Sequence, residues 1–164
     1  MNFNLISSSL AFLSLTILAF AGVIWIRRLA LRRHIMDHPN ERSSHSIPTP
    51  RGGGVAIVVL VIATVLVFGI FNGFNKSSLA FIVSGTLLAF LGWQDDVRSL
   101  SPRVRFPIQF VAIVIAMLGM GYFESVTIPL FGRWDLGWEG IPITFLWILG
   151  LINAYNFMDG IDGI

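Results

Sequence analysis

Residues 145–164 read FLWILGLINAYNFMDGIDGI: eight apolar or glycine positions, then two Asn, two Asp and two Gly among the last twelve. An apolar run ending in amides and carboxylates marks the point where a helix leaves lipid for water. Working back from it, four further apolar stretches stand out: Leu5 to Ile26, Val55 to Phe71, Leu79 to Trp93 and Phe106 to Tyr122, with the quoted run extending from Ile141 to about Phe157. A spanning helix needs about 20 apolar residues, within a range of roughly 17 to 25, so the first stretch is ample and the third and fifth are short. The expected fold is all-α, a multi-pass transmembrane bundle of about five helices.

Composition agrees. Of 164 residues, 55% are hydrophobic and 12% charged, with a mean hydropathy of +0.78. A soluble domain of this length buries only about 70% of its unfolded surface, too little to hide so much apolar area. There is no cysteine, which excludes disulfides and thiolate metal sites and leaves the redox compartment unread. A net charge of +2 with no basic stripe argues against nucleic acid as a partner.

The first stretch contains Ala19-Phe20-Ala21, which has the form of a signal-peptide cleavage site. However, MNFN carries no basic residue and the apolar run continues to Ile26, so an uncleaved anchor is expected. Between Arg27 and Gly54 lie six Arg and two acids, whereas residues 123–140 carry Arg133 against Glu124, Asp135 and Glu139. Basic short loops stay cytoplasmic. The amino terminus is therefore expected outside, and five crossings bring three polar segments to the inner face: the Arg-rich loop, WQDDVRSLSPRVR after the third span, and NAYNFMDGIDGI after the fifth.

Each segment has a chemical reading and a plain one. Asn153, Asn156, Asp159 and Asp162 recur every three residues, so in a helix successive members are neighbours. Gly160 and Gly163 would let a phosphate or main-chain group come close. Such a strip of oxygens suits a hard cation like Mg²⁺, which usually shares its protein ligands with substrate phosphates. A single acid here would only solvate a helix end; four oxygen-bearing side chains in register favour a site.

Asp95 and Asp96 point about 100° apart on a helix, which implies two tasks: one on a metal or reacting phosphate, the other orienting Arg98, Arg103 or Arg105. The plain alternative is a solvated helix end. In DHPNERSSHSIPTPRGGG, residues 37–54, three prolines exclude a helix through much of the loop, and Gly52, Gly53 and Gly54 make a flexible entry to the second span. Arg42, His45 and Arg51 are candidates for contact with a phosphorylated substrate. Arg27, Arg28, Arg32 and Arg33 are read as topological anchors against anionic lipid heads. His34 and His38 lack metal-ligand spacing, and the five Trp are read as interface anchors or packing.

Taken in order, DHPNERSSHSIPTPRGGG, GWQDDVRSLSPRVRFPIQ and NAYNFMDGIDGI resemble the polyprenyl-phosphate N-acetylhexosamine-1-phosphate transferases, glycosyltransferase family 4. The wording of the first stretch is similar to the O-antigen and lipopolysaccharide branch. The resemblance implies a bacterial inner-membrane enzyme with a cytoplasmic active face and Mg²⁺ or Mn²⁺ as cofactor. Undecaprenyl phosphate would attack the β-phosphorus of a UDP-N-acetylhexosamine and release UMP. By position, Asp95 and Asp96 resemble the catalytic acidic pair, Asn156 and Asp159 groups near the metal and pyrophosphate, and Asp162 a uracil-recognising position, with Asp159 counted among the catalytic acids and Asn153 among the substrate contacts. Members of the family carry further helices, a Gly-rich motif with another Asp and a later basic or His-containing loop. Residues 1–164 are therefore expected to be one transmembrane domain, the incomplete and by itself inactive N-terminal part of a larger one. The alternatives are a phospho-muramoyl-pentapeptide transferase and, in a different class, a transporter or scaffold subunit.

Overall fold

The computed structural model describes residues 5–33, 36–37, 49–50, 52–98 and 100–158. Among the described residues there are five α-helices: α1 (Leu5–Arg33), α2 (Gly53–Asn72), α3 (Lys76–Arg98), α4 (Pro102–Met120) and α5 (Gly140–Met158). All five are long and apolar enough to cross a membrane. The fold is all-α and multi-pass, with two small antiparallel hairpins, β1 (Met36–Asp37) with β2 (Thr49–Pro50) and β3 (Ser125–Ile128) with β4 (Gly132–Asp135). Side chains such as Phe12, Phe20, Val59 and Leu146 stand exposed along the helices, a surface that would aggregate in water and that lipid covers.

Three boundaries differ from the sequence expectation, each for the same reason. Helix α1 continues seven residues past Ile26 through Arg27, Arg28, Arg32 and Arg33, α3 continues through Gln94 and both acids to Arg98, and α4 begins at Pro102 rather than Phe106. Hydropathy reports where the apolar run ends; backbone hydrogen bonding continues past it, and Arg and Gln are good helix formers. Pro102 occupies the first position of α4, where its missing N–H costs nothing.

The chain divides into two compact units, residues 1–68 and 69–164. In the first, Met36 pairs with Pro50 and Asp37 with Thr49, drawing together the two ends of the Arg-rich loop. Gly22 of α1 lies against Ala56 of α2, where an added Cβ would come within 3.2 Å of the Ala56 Cβ.

The second unit holds α3, α4 and α5. Helix α3 starts at a reciprocal cap: Asn75 Oδ1 accepts from the Ser78 amide at 2.7 Å, and the Asn75 amide donates to Ser78 Oγ at 3.0 Å. Such a cap contributes about 1 kcal/mol. The α3–α4 seam is built of small residues. Ala80 and Ser84 of α3, and Ala112 and Ala116 of α4, are buried, and Gly119 lies so close to Ala80 that no side chain fits between them. Small side chains let dispersion contacts and backbone proximity hold helices together where lipid removes the hydrophobic driving force. Ser77 Oγ donates to the Gly119 carbonyl at 2.9 Å, closing the seam at that end.

At the same end, Thr144 of α5 is only 4% exposed; its Oγ1 accepts from the Phe123 amide at 2.8 Å and donates to the Gly140 carbonyl at 2.7 Å. Thr144→Val keeps the shape and removes both bonds, leaving the partly buried Phe123 amide without its acceptor. The expected cost is about 1–3 kcal/mol of stability, measurable as a lower midpoint in detergent unfolding.

Candidate active site

Helices α3 and α5 descend and α4 ascends through the second unit, so the end of α3, the start of α4 and the end of α5 meet. A cavity of about 210 Å³ opens there, lined by Leu88, Leu91, Gly92 and Asp95 of α3, Arg105 and Gln109 of α4, and Ile152 and Asn156 of α5. Its lining mixes apolar side chains, Leu88, Leu91 and Ile152, with polar ones, Asp95, Arg105, Gln109 and Asn156. Pockets for whole drug-sized ligands usually run to roughly 300–1,000 Å³, and the part formed by the described residues is smaller than that.

Asp95 organises the polar part of the lining. Its Oδ1 accepts from the Leu100 amide at 2.7 Å, tying down the turn between α3 and α4, and its Oδ2 pairs with Arg105 Nη1 at 2.7 Å. The two side chains are 18% and 26% exposed, so the pair is partly shielded from water. Arg105 Nε is buried without a hydrogen-bond partner among the described residues. A buried N–H left dry costs about 1–3 kcal/mol. Asp96, one residue on, is exposed on another side of α3. The division of labour expected of the acidic pair therefore has one half visible: Asp95 orients Arg105.

Gln109 was not among the expected site residues. It is 4% exposed, and its Oε1 accepts from Asn153 Nδ2 at 3.2 Å, while the same Nδ2 donates to the Leu149 carbonyl at 2.8 Å. The bond crosses from α4 to α5 and fixes the turn that carries Asn156. Its trace in the sequence is a lone amide in an apolar span, four residues after an Arg and so on the same helix face. Gln109→Leu is expected to lose about 0.6–1.7 kcal/mol, the range for interhelical hydrogen bonds in membranes. A double-mutant cycle with Asn153→Leu, read in denaturant unfolding, should return most of that as coupling.

The structure thus brings Asp95 and Asn156 to one cavity and places Asn153 one turn behind it, in contact with Gln109. Arg42, His45, Arg51, Asp159 and Asp162 lie outside the described residues. Among the described residues no three His, Cys, Asp or Glu side chains cluster as a ready-made metal site.

The family model of glycosyl transferase family 4 matches residues 78–164, from the capped start of α3 onward. The chain belongs to glycosyl transferase family 4. It is 37% identical over 152 residues to the probable undecaprenyl-phosphate N-acetylglucosaminyl 1-phosphate transferase of Bacillus subtilis (strain 168), covering 92% of this chain and 41% of the relative. Against the undecaprenyl-phosphate alpha-N-acetylglucosaminyl 1-phosphate transferase of Escherichia coli (strain K12) the identity is 30% over 164 residues, 98% of this chain and 44% of the relative. Against the decaprenyl-phosphate N-acetylglucosaminephosphotransferase of Mycolicibacterium smegmatis it is 33% over 162 residues, 93% and 40%. The chain spans less than half the length of these curated relatives. No solved structure matches it significantly. All eight residues lining the cavity of this glycosyl transferase family 4 chain fall within the matched segment.

Proposed function

We propose that the whole protein transfers a phospho-N-acetylhexosamine from a UDP-sugar to undecaprenyl phosphate and releases UMP, at the cytoplasmic face of a bacterial inner membrane. The observation that carries this reading is the cavity in which the Asp95–Arg105 pair meets Asn156 at one end of three membrane helices. The names of the relatives favour N-acetylglucosamine as the sugar and rank phospho-muramoyl-pentapeptide transfer second. A transporter would carry ionisable groups near the middle of its spans, whereas Asp95 and Asp96 sit in the last turn of α3. The first product would be a lipid-linked sugar diphosphate that begins an O-antigen or related envelope glycan.

In the proposed step an oxygen of the lipid phosphate forms a bond to the β-phosphorus of the donor. The bond from that phosphorus to the bridging oxygen breaks, and UMP leaves with the oxygen and its electron pair. The lipid phosphate needs no strong base, since a phosphate monoester with a second pKa of about 6 is largely ionised near neutrality. What the protein must supply is positive charge and fixed geometry for several phosphates at once. Arg105, held by Asp95 at the cavity, would donate to one of them through its guanidinium. Asp96 and Asp159 are the further acids of the proposed site. Arg42, His45 and Arg51 would meet the donor's phosphates, and Asn153 and Asp162 complete its contacts.

The donor set fits Mg²⁺ or Mn²⁺ bound through a few protein oxygens, Asn156 and Asp159, with substrate phosphates and water as the other ligands. When bound, the ion would offset the charge gathering on the transferring phosphoryl group.

The test is UMP release by the whole protein in detergent, with undecaprenyl phosphate and a panel of UDP-N-acetylhexosamines. Activity with UDP-N-acetylglucosamine, lost in EDTA and restored by excess Mg²⁺, is expected. Absence of UMP with every donor would overturn the reading.

A further inference from the structure

At the end of the second unit opposite the cavity, β3 and β4 form an amphipathic hairpin. In its register Val126 faces Trp134 and Ile128 faces Gly132 on one side, while Ser125 faces Asp135 and Thr127 faces Arg133 on the other. Opposed residues share a face and successive ones alternate, so Val126, Ile128 and Trp134 form an apolar face. Ser125, Thr127, Arg133 and Asp135 form a polar one, where Arg133 Nε donates to Asp135 Oδ1 at 3.3 Å. Much of the apolar face is uncovered: Trp134 is 58% and Val126 42% exposed, while Ile128 is partly buried.

The turn is odd in the same sense. Phe131 donates its amide to the Ile128 carbonyl at 3.1 Å across Pro129 and Leu130, and Leu130 has φ +73°. A turn with Pro second and a left-handed third residue normally takes Gly or Asn there. This chain instead keeps backbone strain at a leucine that is fully exposed among the described residues, with Phe131 beside it. Strain of this kind is kept where a side chain is needed for contact beyond its own fold.

We propose that this hairpin lies flat in the headgroup layer of the bilayer, its apolar face and the Leu130–Phe131 tip inserted toward the acyl chains. The hairpin joins the end of α4 to the start of α5, so its base sits where two spans meet the membrane surface. Its attachment is firm there: the Leu136 amide donates to the Glu124 carbonyl at 2.8 Å, and Phe123 is bonded to Thr144 inside α5. Each strand of four residues is about 14 Å long at 3.4 Å per residue. The interfacial layer is only about 5–8 Å deep on each side. Standing upright, the hairpin would hold its apolar face and tip in water; lying down, it puts tryptophan, leucine and phenylalanine at the depth where aromatic belts form. A two-stranded hairpin with little packed against it is marginally stable, and in the proposed placement lipid supplies the missing layer. The inference rests on the membrane spans and is independent of the proposed reaction.

Residues 1–164 contain no cysteine, so single-cysteine variants need no prior substitution within them. Leu130→Cys, Phe131→Cys and Val126→Cys, with Thr127→Cys as the polar-face control, would carry a nitroxide in lipid nanodiscs and be compared for relaxation by oxygen and by a water-soluble nickel complex. Relaxation by oxygen exceeding that by nickel severalfold at 126, 130 and 131, with the order reversed at 127, is expected. Nickel dominance at all four positions would overturn the proposal by placing the hairpin in water. Shielding of 126, 130 and 131 from both agents would overturn it by revealing a protein partner.

Discussion

Arg105→Met in the whole protein is expected to lower the rate of sugar-phosphate transfer about 100-fold or more, the scale on which a misplaced or missing transition-state donor acts. Met fills much the same space, so packing along α4 should survive, but Asp95 loses its cation and the cavity its only Arg among the described residues. Arg105→Lys restores the charge without the fork and should recover part of the rate, because the contact seen is through Nη1 alone. Asp95→Asn separates the two tasks of the acid. Its remaining carbonyl oxygen can still accept from the Leu100 amide, while the pairing with Arg105 weakens. Asp95→Asn should therefore keep most of its stability and lose most of its activity, whereas Asp95→Ala should lose both, by about 2 kcal/mol in stability, somewhat less than the roughly 3–5 for a fully buried pair broken on one side. Unfolding midpoints alongside UMP release check both outcomes.

The largest effect on stability is expected at Gly119. A side chain there meets the Ala80 methyl and comes within 2.9 Å of the Lys76 carbonyl oxygen. Neither neighbour can swing away as a flexible side-chain tip would, since one is a Cβ on a buried helix face and the other is backbone. Gly119→Leu must then push α4 off α3, opening the Ala80–Ala116 region and the Ser77 bond to the Gly119 carbonyl. Overpacking costs typically about 1–3 kcal/mol, and a backbone collision between helices belongs at or above the top of that range. Gly85→Ala on α3 is the control: an added Cβ there meets nothing within 4 Å, and little change is expected. Thermal unfolding in a fixed detergent distinguishes the two.

The spans were legible because lipid imposes a composition on any helix that crosses it. Leu5–Ile26 and Val55–Phe71 needed no knowledge of packing. The extra turns on α1, α3 and α4 were hidden because their residues are polar, and polar residues such as Arg and Gln serve a helix without leaving an apolar signal. The hairpin at Ser125–Asp135 was missed although its alternation is present. Its apolar positions are few, and Pro129 and Gly132 read as a generic loop until strand pairing is seen.

Within the site, Asp95 and Asn156 were found by chemistry, since carboxylates and amides at the ends of apolar runs are costly unless used. Gln109 and the Asp95–Arg105 pairing depend on which faces of α3, α4 and α5 meet. No single-chain pattern encodes that, and it is fixed by the small-residue seam from Ala80 to Gly119.

The claim beneath all of this is that the acidic end of α3 and the amide-rich end of α5 emerge on the same side of the membrane. Val97→Cys and Tyr155→Cys, both at exposed positions that do not line the cavity, can be labelled with a membrane-impermeant maleimide in sealed vesicles of each orientation. Labelling of both from the cytoplasmic side alone is the predicted result; labelling from opposite sides would contradict the account.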